Sequence, residues 1–156
     1  MKDNKTNVMR LLDVHKIPYE CHTYPPDPSL TGEDIAAMLK ENPDHVYKTL
    51  VTEGHSGAHY VFIIPVQYEL NLKKAARACN EKSVCMIRQK DLLSLTGYVH
   101  GGCSPIGMKK AFPSFIHHSA SALEKMFVSA GRVGYQIGIH PRDLIQETES
   151  SLADLV

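Results

Sequence analysis

Lys48 stands in the stretch NPDHVYKTLV, residues 42–51, with aliphatic side chains on either side. With a period of two, Val46, Lys48 and Leu50 share one face of a strand and Tyr47, Thr49 and Val51 the other. An ammonium group on such a face is costly if it is buried unpaired. It needs either a route to water from an edge strand or a carboxylate supplied by another element. Apolar flanks would also depress its pKa, as a Schiff-base amine requires, but no second polar group stands by to serve carbinolamine chemistry. The second chemically suggestive stretch is GYVHGGCSPIGMKK, residues 97–110. Gly101 and Gly102 permit positive φ and close approach of backbone N–H groups to a ligand, and Ser104-Pro105 then stiffens the chain. Such a bend can aim amide dipoles at an anion or a developing oxyanion, or it can be a plain turn. Cys103 beside His100 suggests a thiol and its base, yet their spacing in a glycine-rich loop fixes no geometry, and Cys103 is not expected to be catalytic. A phosphate-binding loop fails on spacing. From Gly102 the lysine falls one position late, no Ser or Thr follows it, and Pro105 removes a donor. Ser129-Ala130-Gly131 forms another small-residue turn, read either as a hairpin or as a further wall beside a ligand.

Composition narrows the setting of this chemistry. The chain has 156 residues, enough for one domain with a real core, here taken as residues 1–156. Lys+Arg and Asp+Glu are both 17, so there is no basic excess of the kind that grips nucleic acid non-specifically. A nucleic-acid substrate would have to be held by a small site or delivered by a partner. The N-terminus lacks the apolar core of a signal peptide, and the longest apolar run, YVFIIPV, is far short of a membrane span. Four cysteines without a C-x-x-C pair read as reduced thiols in a cytoplasmic protein. Nine histidines are scattered, and the adjacent His117 and His118 are expected on opposite faces of a strand. No metal site and no cofactor is assigned.

The elements that must position these residues follow from pattern. An amphipathic helix is expected over residues 7–15, a strand in PYECHTY, and a break at PPDP. Thr31 caps a helix GEDIAAMLKEN, with Asp34 completing a capping box. HVYKTLVT and HYVFIIPV form a hairpin across the turn-rich EGHSGA. A helix LNLKKAARAC, a short strand VCMI and a helix QKDLLSLTG lead to the glycine loop. Strands SFIHH, MFVSAG and YQIGIH and a helix opened by Pro141 close the chain. Helices mixed with hairpin and crossover strands predict a mixed sheet in an α/β or α+β domain, and the two-sided apolar strands predict a covered sheet centre.

HTYPPDP, NPDHVYKTLV, LNLKKAARA, TGYVHGGCSPIGMKK and FVSAGRVGYQI follow one another as in the YbaK/EbsC family, the free-standing relatives of the editing domain of bacterial prolyl-tRNA synthetases. The resemblance runs from about Val8 to Leu144. It implies a single α/β domain with a mixed, mostly antiparallel, partly barrel-like sheet packed with helices. It implies a trans-editing aminoacyl-tRNA deacylase that clears mischarged tRNA, Cys-tRNA(Pro) foremost, by substrate-assisted cleavage of the aminoacyl ester. In that scheme Lys48 is a cation whose partner arrives as the 3′-terminal adenosine of the tRNA, and Gly101 and Gly102 clasp the scissile carbonyl or the α-amino group. Tyr24, Thr49, Ser104, Ser129, Gly131 and Gln136 are the implied substrate-binding residues. Prolyl-tRNA synthetase is the implied recruiting partner of a monomer or homodimer, with no membrane involved. Three departures bear on specificity. Gln136 replaces an aspartate, Ala130 adds a methyl to an S-G-G turn, and Cys103 replaces an aliphatic residue. They leave open a deacylase for another small amino acid such as alanine, or a binding module without turnover.

Overall fold

The computed structural model describes residues 5–156. The amphipathic segment folds as α1 (Asn7–Val14), capped by the Thr6 hydroxyl, and buries Val8, Met9 and Leu12. β1 (Glu20–Thr23) follows, and the proline run then carries the chain irregularly to α2 (Gly32–Met38). The expected capping box forms there. Thr31 Oγ1 accepts from the Asp34 N–H at 3.1 Å, and the Asp34 carboxylate accepts from the Thr31 N–H at 3.0 Å. β2 (Tyr47–Gly54) and β3 (His59–Pro65) pair as the predicted antiparallel hairpin, with Lys48 opposite Ile64. α3 (Leu72–Ala78), β4 (Val84–Met86) and α4 (Leu92–Thr96) come next. β5 (Ser114–His117), β6 (Met126–Ser129), β7 (Tyr135–Ile139) and α5 (Pro141–Thr148) complete the anticipated order. β8 (Ser151–Ala153) was not anticipated. Its three residues are too short for a periodic signal, and it exists because β5 offers it an edge.

The strands form two open sheets, one ordered β1-β7-β6 and one ordered β4-β2-β3-β5-β8. Four of the pairings are antiparallel, while β3–β5 and β5–β8 are parallel, which gives the mixed sheet that was expected. The barrel-like character resolves into two sheets that do not close on each other. An isolated parallel bridge between Val46 and Phe127 joins them.

β3 explains its own apolar sequence. Val61 and Ile63 enter the main core with Leu12, Ile116, Val128, Ile137 and Leu144, while Phe62 and Ile64 enter a second core with Ala75, Ala76 and Leu155. Alternate residues serve opposite faces, so both faces are covered. β4 pairs with β2 only at Thr52–Gly54. The stretch from Tyr47 to Leu50 therefore has no strand on that side, and the space beside this open edge becomes the site.

Candidate functional site

A cavity of about 370 Å³ lies at the seam between the two sheets. Its walls come from the open edge of β2, from Ser129 on β6 and Gln136 on β7, from the segment entering α2, and from His100, Gly101 and Cys103. Because the cavity meets β2 at its edge rather than on one face, side chains of both parities reach it. Lys48 and Thr49 both line it. Gly32 allows the start of α2 to press against Val66, where an added Cβ would lie 2.4 Å from Val66 Cγ1.

Lys48 is half-buried, and burial lowers its pKa from the ordinary lysine value. The more distant charges of Glu69 and Glu33 oppose that shift. No carboxylate lies within ion-pair distance of its Nζ among the described residues. Neither a permanent internal salt bridge nor full hydration therefore accounts for this lysine. The residue lines the cavity.

Among the described residues, three buried side-chain polar atoms lack any hydrogen-bond partner: Thr49 Oγ1, Gln136 Oε1 and Glu41 Oε2. Such atoms normally carry a cost of about 1–3 kcal/mol each, so their grouping calls for an explanation. Thr49 and Gln136 line the cavity, and Glu41 is one bond removed from it. Gln136 is 3% exposed, and its Nε2 donates to Glu41 Oε1 at 2.9 Å. Burial raises the Glu41 pKa, and the bond from Gln136 acts in the opposite direction. Glu41 gave no signal in the sequence. It lies three residues beyond α2, in a stretch expected to continue the helix, which instead ends at Met38.

Of the other anticipated residues, Tyr24, Gly101 and Ser129 line the cavity. Ser129 stands directly across the ladder from Gln136, and its Oγ accepts from the Gly131 N–H at 3.2 Å. Gly101 adopts φ +86°, as a glycine bend requires. Gly102, Ser104 and Gly131 lie outside the cavity wall. The Gly102 N–H donates to Val99 O at 3.0 Å and so closes the turn. The fully buried Ser104 turns its Oγ to the Ile106 N–H. Gly131, at φ +92°, makes room for Val8 and Tyr98. These three shape the loops that bear the lining residues. Ala130 also points away from the cavity and is fully buried in the main core. Burial pushes the Cys103 thiol up to about 12, which keeps it protonated and poorly nucleophilic.

The aminoacyl-tRNA editing domain matches residues 27–147, most of the chain. The chain belongs to the aminoacyl-tRNA editing domain family. This editing domain is also 40% identical over 152 residues, 97% of its length and 93% of the relative's, to a protein of Enterococcus faecalis (strain ATCC 700802 / V583) named as a candidate Cys-tRNA(Pro)/Cys-tRNA(Cys) deacylase, EbsC. Among solved structures, the editing domain shares its fold with the hypothetical protein APE2540. The TM-score is 0.87 at 22% identity, covering 96% of this chain and 99% of that one. It shares it also with a candidate trans-editing enzyme for prolyl-tRNA synthetase, at TM-score 0.83 and 20% identity, covering 98% of both chains.

One geometric expectation fails. The editing domain's adjacent histidines, His117 and His118, do not point to opposite faces, because β5 ends at His117 and the chain turns at once into a 3-10 helix (His118–Ala122). Their rings stack with centroids 4.4 Å apart and 30° between planes.

Proposed function

We propose that this editing domain is a trans-acting deacylase for mischarged aminoacyl-tRNA, with Cys-tRNA(Pro) as its foremost substrate, working in the cytoplasm. The observation that carries the reading is the set of unpartnered polar groups around one cavity: the Lys48 ammonium, Thr49 Oγ1 and Gln136 Oε1. A site that pays to keep such groups unsatisfied is built for a polar ligand that satisfies them. Aminoacyl-adenosine supplies matching chemistry at every point. Its phosphate and ribose oxygens meet Lys48. Its α-amino group donates to the Gln136 carbonyl, with the Glu41 carboxylate behind. Its ester carbonyl approaches the bend at Gly101, whose N–H donates to no acceptor among the described residues.

The Cys103 thiol in the cavity wall is held protonated, so the reading assigns the attack to the substrate. The substrate's own thiol sulfur bonds to its carbonyl carbon, the ester C–O bond breaks, and the thiol proton passes to the departing ribose oxygen. The products are a cyclic thiolactone and intact tRNA. The protein contributes by holding the reactive conformer and stabilising charge.

Incubation with labelled Cys-tRNA(Pro) and Ala-tRNA(Pro) tests this. Ester loss from Cys-tRNA(Pro) should exceed the buffer rate and fall by about 10²-fold or more in Lys48→Ala, the scale for losing one electrostatic contact in a closed site, while Ala-tRNA(Pro), which lacks the thiol, should stay at the buffer rate. Binding without ester loss would overturn the enzymatic reading. Hydrolysis that continues after the substrate thiol is blocked would overturn the thiolactone route alone. A pull-down with prolyl-tRNA synthetase and tRNA tests recruitment separately.

A further inference from the structure

A second cluster lies where β8 pairs with β5. The parallel register sets His117 beside Ala153 and so brings Asp154 alongside His118. One donor atom from each of His117, His118 and Asp154 falls within 4.8 Å of the other two. His117 Nε2 lies 3.7 Å from Asp154 Oδ1. We propose that His117, His118 and Asp154 form a binding site for a borderline divalent cation of the zinc class, which staples the C-terminal strand β8 to β5.

Donor chemistry selects the ion. Two imidazole nitrogens and one carboxylate suit Zn²⁺, Co²⁺ or Ni²⁺, whereas Ca²⁺ and Mg²⁺ call for sets of oxygen donors. Bonds of about 2.0–2.2 Å set donor atoms about 3.4 Å apart around a tetrahedral ion. His117 and Asp154 are near that spacing already, and the remaining adjustment falls on the exposed His118 side chain. The anchor is His117, which is 8% exposed. Its Nδ1 lies 2.8 Å from Ser119 Oγ, and that oxygen lies 2.7 Å from the Tyr47 hydroxyl. With Nδ1–H donating to Ser119, the Nε2 lone pair is directed at Asp154, the second sphere that metal-bound histidines use. The Ser119 N–H also approaches Nδ1, at 3.3 Å, and would favour the opposite tautomer, so the ion must select the first. Lys74 is the competing cation. Its Nζ holds Asp154 Oδ2 at 3.0 Å and Val156 O at 2.6 Å, which leaves Oδ1 for the ion. The fourth position remains open to water. This site does not depend on the reading of the catalytic cavity.

Calorimetric titration of the full chain with ZnCl₂ in a non-chelating buffer tests the site, alongside ¹⁵N NMR with substoichiometric Zn²⁺. One equivalent should bind, with amide shifts centred on residues 117–119 and 153–154 and a raised melting temperature. Both exposed ligands can be changed without touching the core: His118→Ala and Asp154→Asn should each weaken binding at least tenfold. Lys74→Met should tighten it, which distinguishes removal of a competing charge from damage to the fold. Zinc binding that is absent, that survives in His118→Ala and Asp154→Asn, or that shifts amides around the exposed thiols Cys21 and Cys85 instead, overturns the proposal.

Discussion

Residue 136 shows how much one substitution can be recast by a neighbour. A glutamine cannot form a salt bridge, but its amide is clamped by Glu41, so that its carbonyl oxygen is buried without a partner beside the cavity and a carboxylate lies directly behind it. Glu41 should therefore cost stability while serving binding. Its folded pKa is raised, so from about pH 4.3 upward to that value the native state holds one more proton than the unfolded chain. Stability then falls as pH rises through that window. Urea melts of Glu41→Gln across it should lack this slope and exceed wild type at neutral pH, while KM for aminoacyl-tRNA rises. A steeper slope in the variant would contradict the assignment. Cys103 behaves oppositely. With its thiol pushed up to about 12 it contributes surface and no chemistry, and Cys103→Ser should retain activity within about threefold, the change expected of a wall contact worth under 1 kcal/mol. Lys48 was legible as an anomaly in the sequence because a charge interrupts a strand's apolar period. Glu41 was not, because its role depends on a contact with β7 that no local pattern encodes.

At the level of elements, the two glycine bends work as a pair. A Cβ on Gly102 would lie 2.9 Å from Val133 N and 3.2 Å from Arg132 C, both backbone atoms of the turn that joins β6 to β7. Gly102→Ala must push the loop and that turn apart, and Gly101 moves with it. Deacylation should fall by about 10²-fold, the scale of a 1 Å misplacement, while the thermal midpoint changes little. A large loss of stability with normal activity per folded molecule would show the bend to be structural only. The elements themselves were largely readable. Period, capping residues and turn chemistry located α1, the boxed start of α2, the β2–β3 hairpin and α5 near their observed bounds. β8 was missed because its strand state comes from β5, and the 117–118 geometry was missed because the strand stops one residue before the pattern suggested. The role of residues 102, 104 and 131 in shaping loops rather than lining the cavity was likewise invisible, since a glycine or serine in a turn looks the same from either side.

For the whole molecule, balanced charge limits how the substrate is held. With 17 basic and 17 acidic residues, few phosphates can be neutralised. The slope of log affinity for tRNA against log salt should be shallower than about −3, as for roughly three contacts, and a much steeper slope would demand a basic surface that the composition does not supply. The division into two sheets could not be read from strand order, because the partner chosen by each strand is set in three dimensions. That division has a mechanical result. The ligand's proposed contacts belong to both halves, Lys48 and Thr49 to one and Ser129 and Gln136 to the other, while the halves meet through the shared main core and the backbone bridge at Val46–Phe127. An occupant acts as a rivet across that joint. It links the two sheets at the rim of their shared core, and whatever parts them there must also release the cargo.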